Sequence, residues 1–333
     1  MEVSEEDFEL VNALQMAPRA TWTQLGAVLD RHPSTLAARW ERLRAAGVAW
    51  VTAHPMGDPL QMSLSFLDVQ CEPGRRADVA ASLCRIPDVV SVEECSRSQD
   101  LMLTAITPSL TALGEMIYPQ LDAVEGLVRY ETFFCTDLHA GGYAWRLNAL
   151  SPGQRQQLKQ FRPAPAGPPG TLPPSFRAII QVLSRNGRAT AAEVAASAGL
   201  HPATARRQLQ RILASGTLSF RCEIAQSVTG HPVTCQWRGR LPAVDHQEAA
   251  RILSGFGSMR LCASTTGSSN FLFSMWLRNA ADIMRVERAV GEQVPRFELR
   301  ESVVVTNAPK RVGWVLGRDG TATGEVVPPG EVW

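Results

Sequence analysis

The chain has almost no lysine. Lys159 and Lys310 are the only two in 333 residues, and arginine supplies the rest of the 33 basic side chains. Arginine is the better bidentate donor, but the bias runs through the whole chain and fits a GC-rich coding sequence better than a local site. Cysteine is sparse and odd in number. Cys71, Cys84, Cys95, Cys135, Cys222, Cys235 and Cys262 lie far apart with no C-x-x-C pair. That spacing argues against a disulfide framework and against a metal site, and suits small buried thiols in a reducing compartment. No apolar run approaches the roughly 20 residues that span a bilayer. The opening MEVSEEDFEL is acidic, where a signal peptide is basic and then apolar. A cytoplasmic, soluble chain with no membrane partner is expected. An excess of one charge is also missing: the net is +1, so any nucleic-acid contact has to come from local charge. There is no glycine-rich phosphate loop, no H-E-x-x-H, no G-x-S-x-G, and no Cys and His spaced as a nucleophile pair. We therefore expect no enzyme, no catalytic residues and no cofactor.

What the chain does have is a repeat. HPSTLAARWERLRAAG at residues 32–47 returns as HPATARRQLQRILASG at 201–216. A shift of 169 also carries Leu14 onto Leu183, Arg19-Ala20-Thr21 onto Arg188-Ala189-Thr190, and Trp145 onto Trp314. One offset working at both ends of a long block means duplication of a whole unit. At this length two or more domains are the prior in any case. Between the copies, residues 151–174 read as a Pro/Gly-rich extended linker, whose second half of about a dozen Pro-rich residues reaches roughly 35 Å at about 3.1 Å per residue.

Each copy opens with three amphipathic patterns: Phe8, Val11, Leu14; then Leu25, Val28, Leu29; then Leu36, Trp40, Leu43. Pro33 suits a first helical turn and Gly47 a helix end. This is a helix-turn-helix plan, written twice. The third helix offers Ser34, Thr35, Ala38, Arg39 and Arg42 opposite its apolar stripe. Its counterpart offers Thr204, Arg206, Arg207, Gln208 and Arg211, with no acid nearby. Hydroxyls that reach base edges and arginines that read guanine or clamp phosphate make these ten the candidate DNA-binding residues. The acids Glu2, Glu5, Glu6, Asp7 and Glu9 fit the start of the first helix dipole.

The rest of each copy alternates as β-α-β-β-α-β, the ferredoxin-like split pattern. Helices on one sheet face leave the other face to be covered, and a second copy of the sheet is the natural cover. The expected class is α+β: two winged helix-turn-helix domains and two ferredoxin-like αβ-plait domains in tandem duplication. The divisions are 1–52, helix-turn-helix; 53–150, plait; 151–174, linker; 175–222, second helix-turn-helix; 223–318, second plait; 319–333, C-terminal tail.

Over nearly its whole length this arrangement resembles the Lrp/AsnC family, the leucine-responsive and asparagine-related transcription regulators. The most specific part of the likeness is the His-Pro-x-Thr helix with its Gly at fixed offset, followed by the plait order. The family's recognition helix usually opens Ser-Pro; His32 and His201 stand in the Ser position, which weakens the expected cap. The resemblance implies dimerisation and higher assembly through plaits. It also implies a small effector, amino acid in class, near the loop between plait strands two and three, where the family often carries Gly-x-x-Asp. Here SRSQD keeps Asp100 without the Gly, and TGSSN keeps Gly267 with Asn270 for Asp. Ser98, Gln99, Asp100, Gly267, Ser268, Ser269 and Asn270 are the effector candidates, with a plain polar hairpin turn as the other reading.

The expected function is a sequence-specific DNA-binding regulator of that type, acting as a single-chain pseudo-dimer on double-stranded DNA. A plait-based amino-acid-binding protein or enzyme regulator, whose helix-turn-helix units bind protein, stands as the alternative.

Overall fold

The computed structural model describes residues 2–55, 63–96, 99–161, 173 and 175–330. The first copy begins with α1 (Glu5–Met16), α2 (Trp22–Leu29) and α3 (Pro33–Ala45). Local chemistry sets their starts. Ser4 Oγ accepts from Asp7 N while an Asp7 oxygen accepts from Ser4 N, a reciprocal cap. Thr21 and Gln24 do the same for α2. Leu10, Leu14, Leu25, Leu36, Trp40 and Leu43 close the three helices over one core.

Then come β1 (Ala49–Pro55), β2 (Ser63–Cys71), α4 (Arg76–Cys84), β3 (Val89–Cys95) and β4 (Leu101–Thr107). A helical stretch follows, from α5 (Leu110–Ala112) through a wide turn at Leu113–Ile117 into α6 (Tyr118–Asp122), and β5 (Leu127–Ala140) ends the copy. The second copy repeats the order. It has α8 (Phe176–Arg185), α9 (Ala191–Ala198), α10 (Pro202–Ala214), β6 (Leu218–Ile224) and β7 (Val233–Arg240). It goes on with α11 (His246–Ser254), β8 (Met259–Thr265), β9 (Phe271–Leu277), α12 (Ala281–Gln293) and β10 (Glu298–Arg311).

Two segments differ from expectation. The linker is not extended throughout: Pro152–Lys159 form a helix, α7, capped by Ser151 and seated by buried Leu158 in the first helical core. Proline at the first turn of a helix costs nothing, because its missing N–H has no partner there anyway. The expected C-terminal tail carries a strand as well. β11 (Trp314–Leu316) and β12 (Ala322–Val326) extend the sheet, and Ala322 N donates to Gly47 O at 2.8 Å. Gly47 sits at φ +65, a backbone conformation that suits glycine at the end of α3.

The plait sheets do not stack as separate layers. Each contributes four strands, in the orders β5-β2-β4-β3 and β10-β7-β9-β8, and their edges join. β5 pairs antiparallel with β8, and β10 with β3, so eight strands close into a barrel. An unpaired edge leaves a row of N–H and C=O groups without partners; closure removes both edges at once. Helices cover the outside. Leu67, Leu83, Leu103 and Leu121 form one outer core, and Trp237, Leu253, Phe273 and Val290 the other. Among the described residues, no helix is long and apolar enough to cross a membrane.

Candidate functional site

The third helix of each unit buries the expected stripe: Leu36, Trp40 and Leu43 in α3, and Ala205, Leu209 and Ile212 in α10. Ser34, Thr35, Ala38 and Arg42 are exposed, and Arg39 is half-buried. In α10, Arg206, Arg207 and Arg211 are exposed, and Thr204 and Gln208 half-buried. The histidines occupy the cap positions. His32 Nδ1 accepts from Ser34 N, and His201 Nδ1 from Ala203 N, each at 3.3 Å. An imidazole nitrogen replaces the serine oxygen at a distance longer than the usual range of about 2.7–3.2 Å, in keeping with the weakened cap expected from the sequence.

The two faces differ in charge. Arg42 Nη2 lies 2.6 Å from both carboxylate oxygens of Asp7, and Arg39 bonds Asp7 and Glu6. Asp7 is fully buried; burial opposes its charge, but the Arg42 and Ser4 hydrogen bonds hold its carboxyl below the usual range. The acids of α1 therefore do more than start a helix dipole: they hold the arginines of α3. In the second copy the same shift of 169 puts Ser175 and Phe176 where Glu6 and Asp7 stand. Among the described residues no acid pairs with Arg206 or Arg207.

The helical units are fastened by reciprocal bonds. Arg19 donates to Ala189 O at 3.0 Å and also to Gly187 O. Arg188 donates to Pro18 O at 2.7 Å and Ala20 O at 2.8 Å, with its guanidinium 4.0 Å from the centre of the Trp22 ring. Burial lowers Arg188 to about 10, with Arg19 adding to the shift, so it stays charged at neutral pH. Beneath them β1 and β6 pair antiparallel over seven residues each, Ala49 opposite Ile224 and Pro55 opposite Leu218. The strands also cross: β1 lies under α8, with Thr52 Oγ1 donating to Ser184 O, while Cys222 and Ile224 of β6 join the core of α1.

The expected effector turns are occupied by the protein itself. Asp100 accepts from Cys71 N at 2.8 Å and from Arg76 Nη2 at 2.5 Å. Asn270 holds the equivalent place: its amide accepts from Leu241 N and donates to Leu241 O, both at 2.9 Å. Gly267 turns at φ +102 with Ser268 exposed; Ser269 is half-buried and its carbonyl accepts from Thr265. Gln99 is buried, and Ser98 lies outside the described residues. Asp100 and Asn270 clamp strand ends, Asn270 also lining clefts beside β7, and the described turn residues do not converge on one hollow.

A hollow of about 180 Å³ does occur inside the barrel, under the β1–β6 pair. Its apolar wall includes Phe66, Met102, Ile106, Leu261 and Trp276, and its polar wall His54, Glu93, Arg221, Gln236, Arg260 and Arg311. Glu223 on β6 organises the charges, bonding Arg221 and Arg260 with Arg311 at 3.9 Å. Burial opposes its ionisation, but the three guanidiniums bring it down to about 2. Burial raises Glu93, against Arg311, Arg260 and Arg238. His54, next to the end of β1, is pushed down to about 4 by burial. His139 and His246 are likewise structural, both gripping the Ser264 hydroxyl. The hollow is not legible in the sequence because its residues come one to three at a time from all of β1 to β10.

Comparison with known proteins bears on the barrel first. Residues 64–140 match the Lrp/AsnC ligand binding domain. The matched segment is the first plait, β2 to β5. An uncharacterised helix-turn-helix-type transcriptional regulator of Pyrococcus horikoshii is 24% identical over 149 residues, covering 43% of this chain and 92% of that protein. A Pyrococcus abyssi regulator of the same description is 22% identical over the same shares. In solved structures, the siroheme decarboxylase NirDL shares the fold across 93% of both chains, with a TM-score of 0.59 at 13% identity.

Proposed function

We propose that the chain is a DNA-binding transcriptional regulator of the Lrp/AsnC type, in which one polypeptide carries two helix-turn-helix units and two plaits as a pseudo-dimer. The reciprocal Arg19 and Arg188 bonds carry the reading, because they fasten two recognition helices to one body with a set separation. The cationic outer face of α10 supports nucleic acid as the partner, since Arg206 and Arg207 face solvent with no acid paired to them among the described residues. We assign the stronger phosphate and base contacts to α10 and the weaker to α3, whose arginines are held by Asp7. Because the two helices differ, the operator need not be a palindrome. The small-effector role expected of the plaits is assigned to the barrel rather than to the turns at Asp100 and Asn270, which are internally satisfied.

The test is selection of bound DNA from a random pool, repeated with Arg206→Ala/Arg207→Ala. Loss of two phosphate contacts reduces the slope of log affinity against log salt by about 2. Unchanged affinity and unchanged slope contradict the assignment.

One observation favours a second reading, an enzyme acting on a carboxylated substrate. The likeness to a siroheme decarboxylase runs through nearly the whole chain, and arginines line the hollow. Against it, about 180 Å³ is small beside the roughly 300–1,000 Å³ of ordinary ligand pockets, too small for a tetrapyrrole. Carbon dioxide release from siroheme by the purified chain would decide for this reading.

A further inference from the structure

We propose that the hollow in the barrel is a binding site for a small monocarboxylate with an apolar or aromatic body, and that its occupancy is felt by the β1–β6 pair that carries the helical units. The inference deepens the regulator reading by naming the effector's chemistry and its place, and its second half rests on that reading.

Unmet donors point to the carboxylate. Arg311 is 8% exposed, and one of its terminal nitrogens has no hydrogen-bond partner. Gln236 is fully buried. Its oxygen accepts from Arg238 Nε at 2.8 Å, which fixes the amide orientation, and its NH2 has no partner. Arg221 Nε is also without one. All three side chains line the hollow. Buried donors left unpaired are costly, and native proteins rarely keep several together without a ligand or water to meet them. The charge balance agrees. Three guanidiniums, Arg221, Arg260 and Arg311, face two carboxyls, Glu223 and Glu93, and burial raises that of Glu93, so the wall keeps an excess of positive charge that would repel an ammonium group. An anion completes the set.

Apolar surface sets the rest of the ligand. Phe66, Ile106 and Leu261 offer no polar partner, the Met102 sulfur accepts from Arg238, and the Trp276 ring lies 3.9 Å from the Arg260 guanidinium carbon and 5.1 Å from that of Arg311. The hollow holds a short branched chain or a single ring beside a carboxylate and little more.

The wall also explains how binding is transmitted. Ser219 and Arg221 belong to β6 and His54 to β1. Arg311 leads through Val312, at φ +48, and Gly313 into Trp314, which stacks on Trp50 of β1 with ring centres 5.5 Å apart. A carboxylate that draws Arg221 or Arg311 therefore pulls on the strands from which both helical units hang.

The experiment measures calorimetric binding and melting temperature of the full chain with phenylacetate, benzoate and 4-methylpentanoate, each against its neutral amide. Expected are saturable binding of at least one carboxylate, a higher melting temperature, and at least tenfold preference over the amide. Arg311→Gln weakens that binding about tenfold or more. Leu261→Trp, which fills the hollow without touching a charge, abolishes it and guards against a failure of the first variant to fold. Equal effects of acids and amides, or no saturable binding by any of the three, overturn the site. DNA affinity is measured in parallel on the same samples. DNA binding that persists while carboxylates fail removes this inference and leaves the regulator reading; carboxylate binding without DNA binding does the reverse.

Discussion

Asp68 and Arg238 stand 170 positions apart at matching places on β2 and β7, and they bond to each other inside the barrel. Arg238 Nη2 lies 2.7 Å from Asp68 Oδ1, with a second contact between the remaining atoms. The Arg238 side chain is 6% exposed and that of Asp68 17%. The same offset relates Cys71 to Leu241 and Asp100 to Asn270. Two identical subunits meeting here would set Asp against Asp or Arg against Arg. One chain with two unlike halves can set acid against base.

That pair should therefore be exchangeable but not divisible. Asp68→Asn leaves a buried, uncompensated guanidinium and should cost about 3–5 kcal/mol. Asp68→Arg with Arg238→Asp should recover at least half of that loss in a denaturant titration. Simple addition of the two single losses in the double variant would contradict the pairing.

The sequence carried much of this architecture openly. Helical periodicity, His-Pro-x-Thr and the 169-residue shift placed α1 to α3 and α8 to α10, and the strand and helix order of each plait was also readable. The edge pairings were not. β5 with β8 and β10 with β3 join residues more than a hundred positions apart, and no local pattern encodes which edges meet. Among site residues, the polarity of α10 was legible, while the capture of Arg42 by Asp7 was not. The acids of α1 had a sufficient local explanation in the helix dipole, and the contact that reassigns them is tertiary.

Releasing α3 should strengthen its part in DNA binding. Asp7→Asn keeps the Ser4 cap geometry but removes the charge that holds Arg42, leaving Arg39 to Glu6. The expected outcome is a steeper salt dependence of DNA affinity, by about one unit of slope, at a cost of about 1–3 kcal/mol in fold stability. Mobility shift at several salt concentrations reads the first and thermal melting the second. A slope that stays the same would mean α3 does not meet phosphate.

Lys310 supplies a pH dependence. The side chain is fully buried, with Nζ donating to Ile86 O at 2.8 Å. Burial pushes its ammonium down to about 8 from 10.5, against the opposing pull of Cys84, Asp88 and Glu325. Between those two values the unfolded chain binds more protons than the folded one, so stability contributed at this position rises from about pH 8 to 10.5. Below pH 8 the full cost of the buried charge is present. Lys310→Met should raise stability at pH 7 by about 2 kcal/mol and flatten the rise above pH 8. Chemical denaturation at pH 7, 8.5 and 10 checks both.

The most direct test of the pseudo-dimer is a hydroxyl-radical footprint of the chain on a selected DNA, with the stoichiometry measured on the same complex. The account predicts one chain per site protecting two patches on one face of the duplex, about 34 Å apart or a multiple of that, the patch lost first on Arg206→Ala/Arg207→Ala being the one under α10. A single patch per chain, or DNA left unprotected at saturating protein, would contradict it.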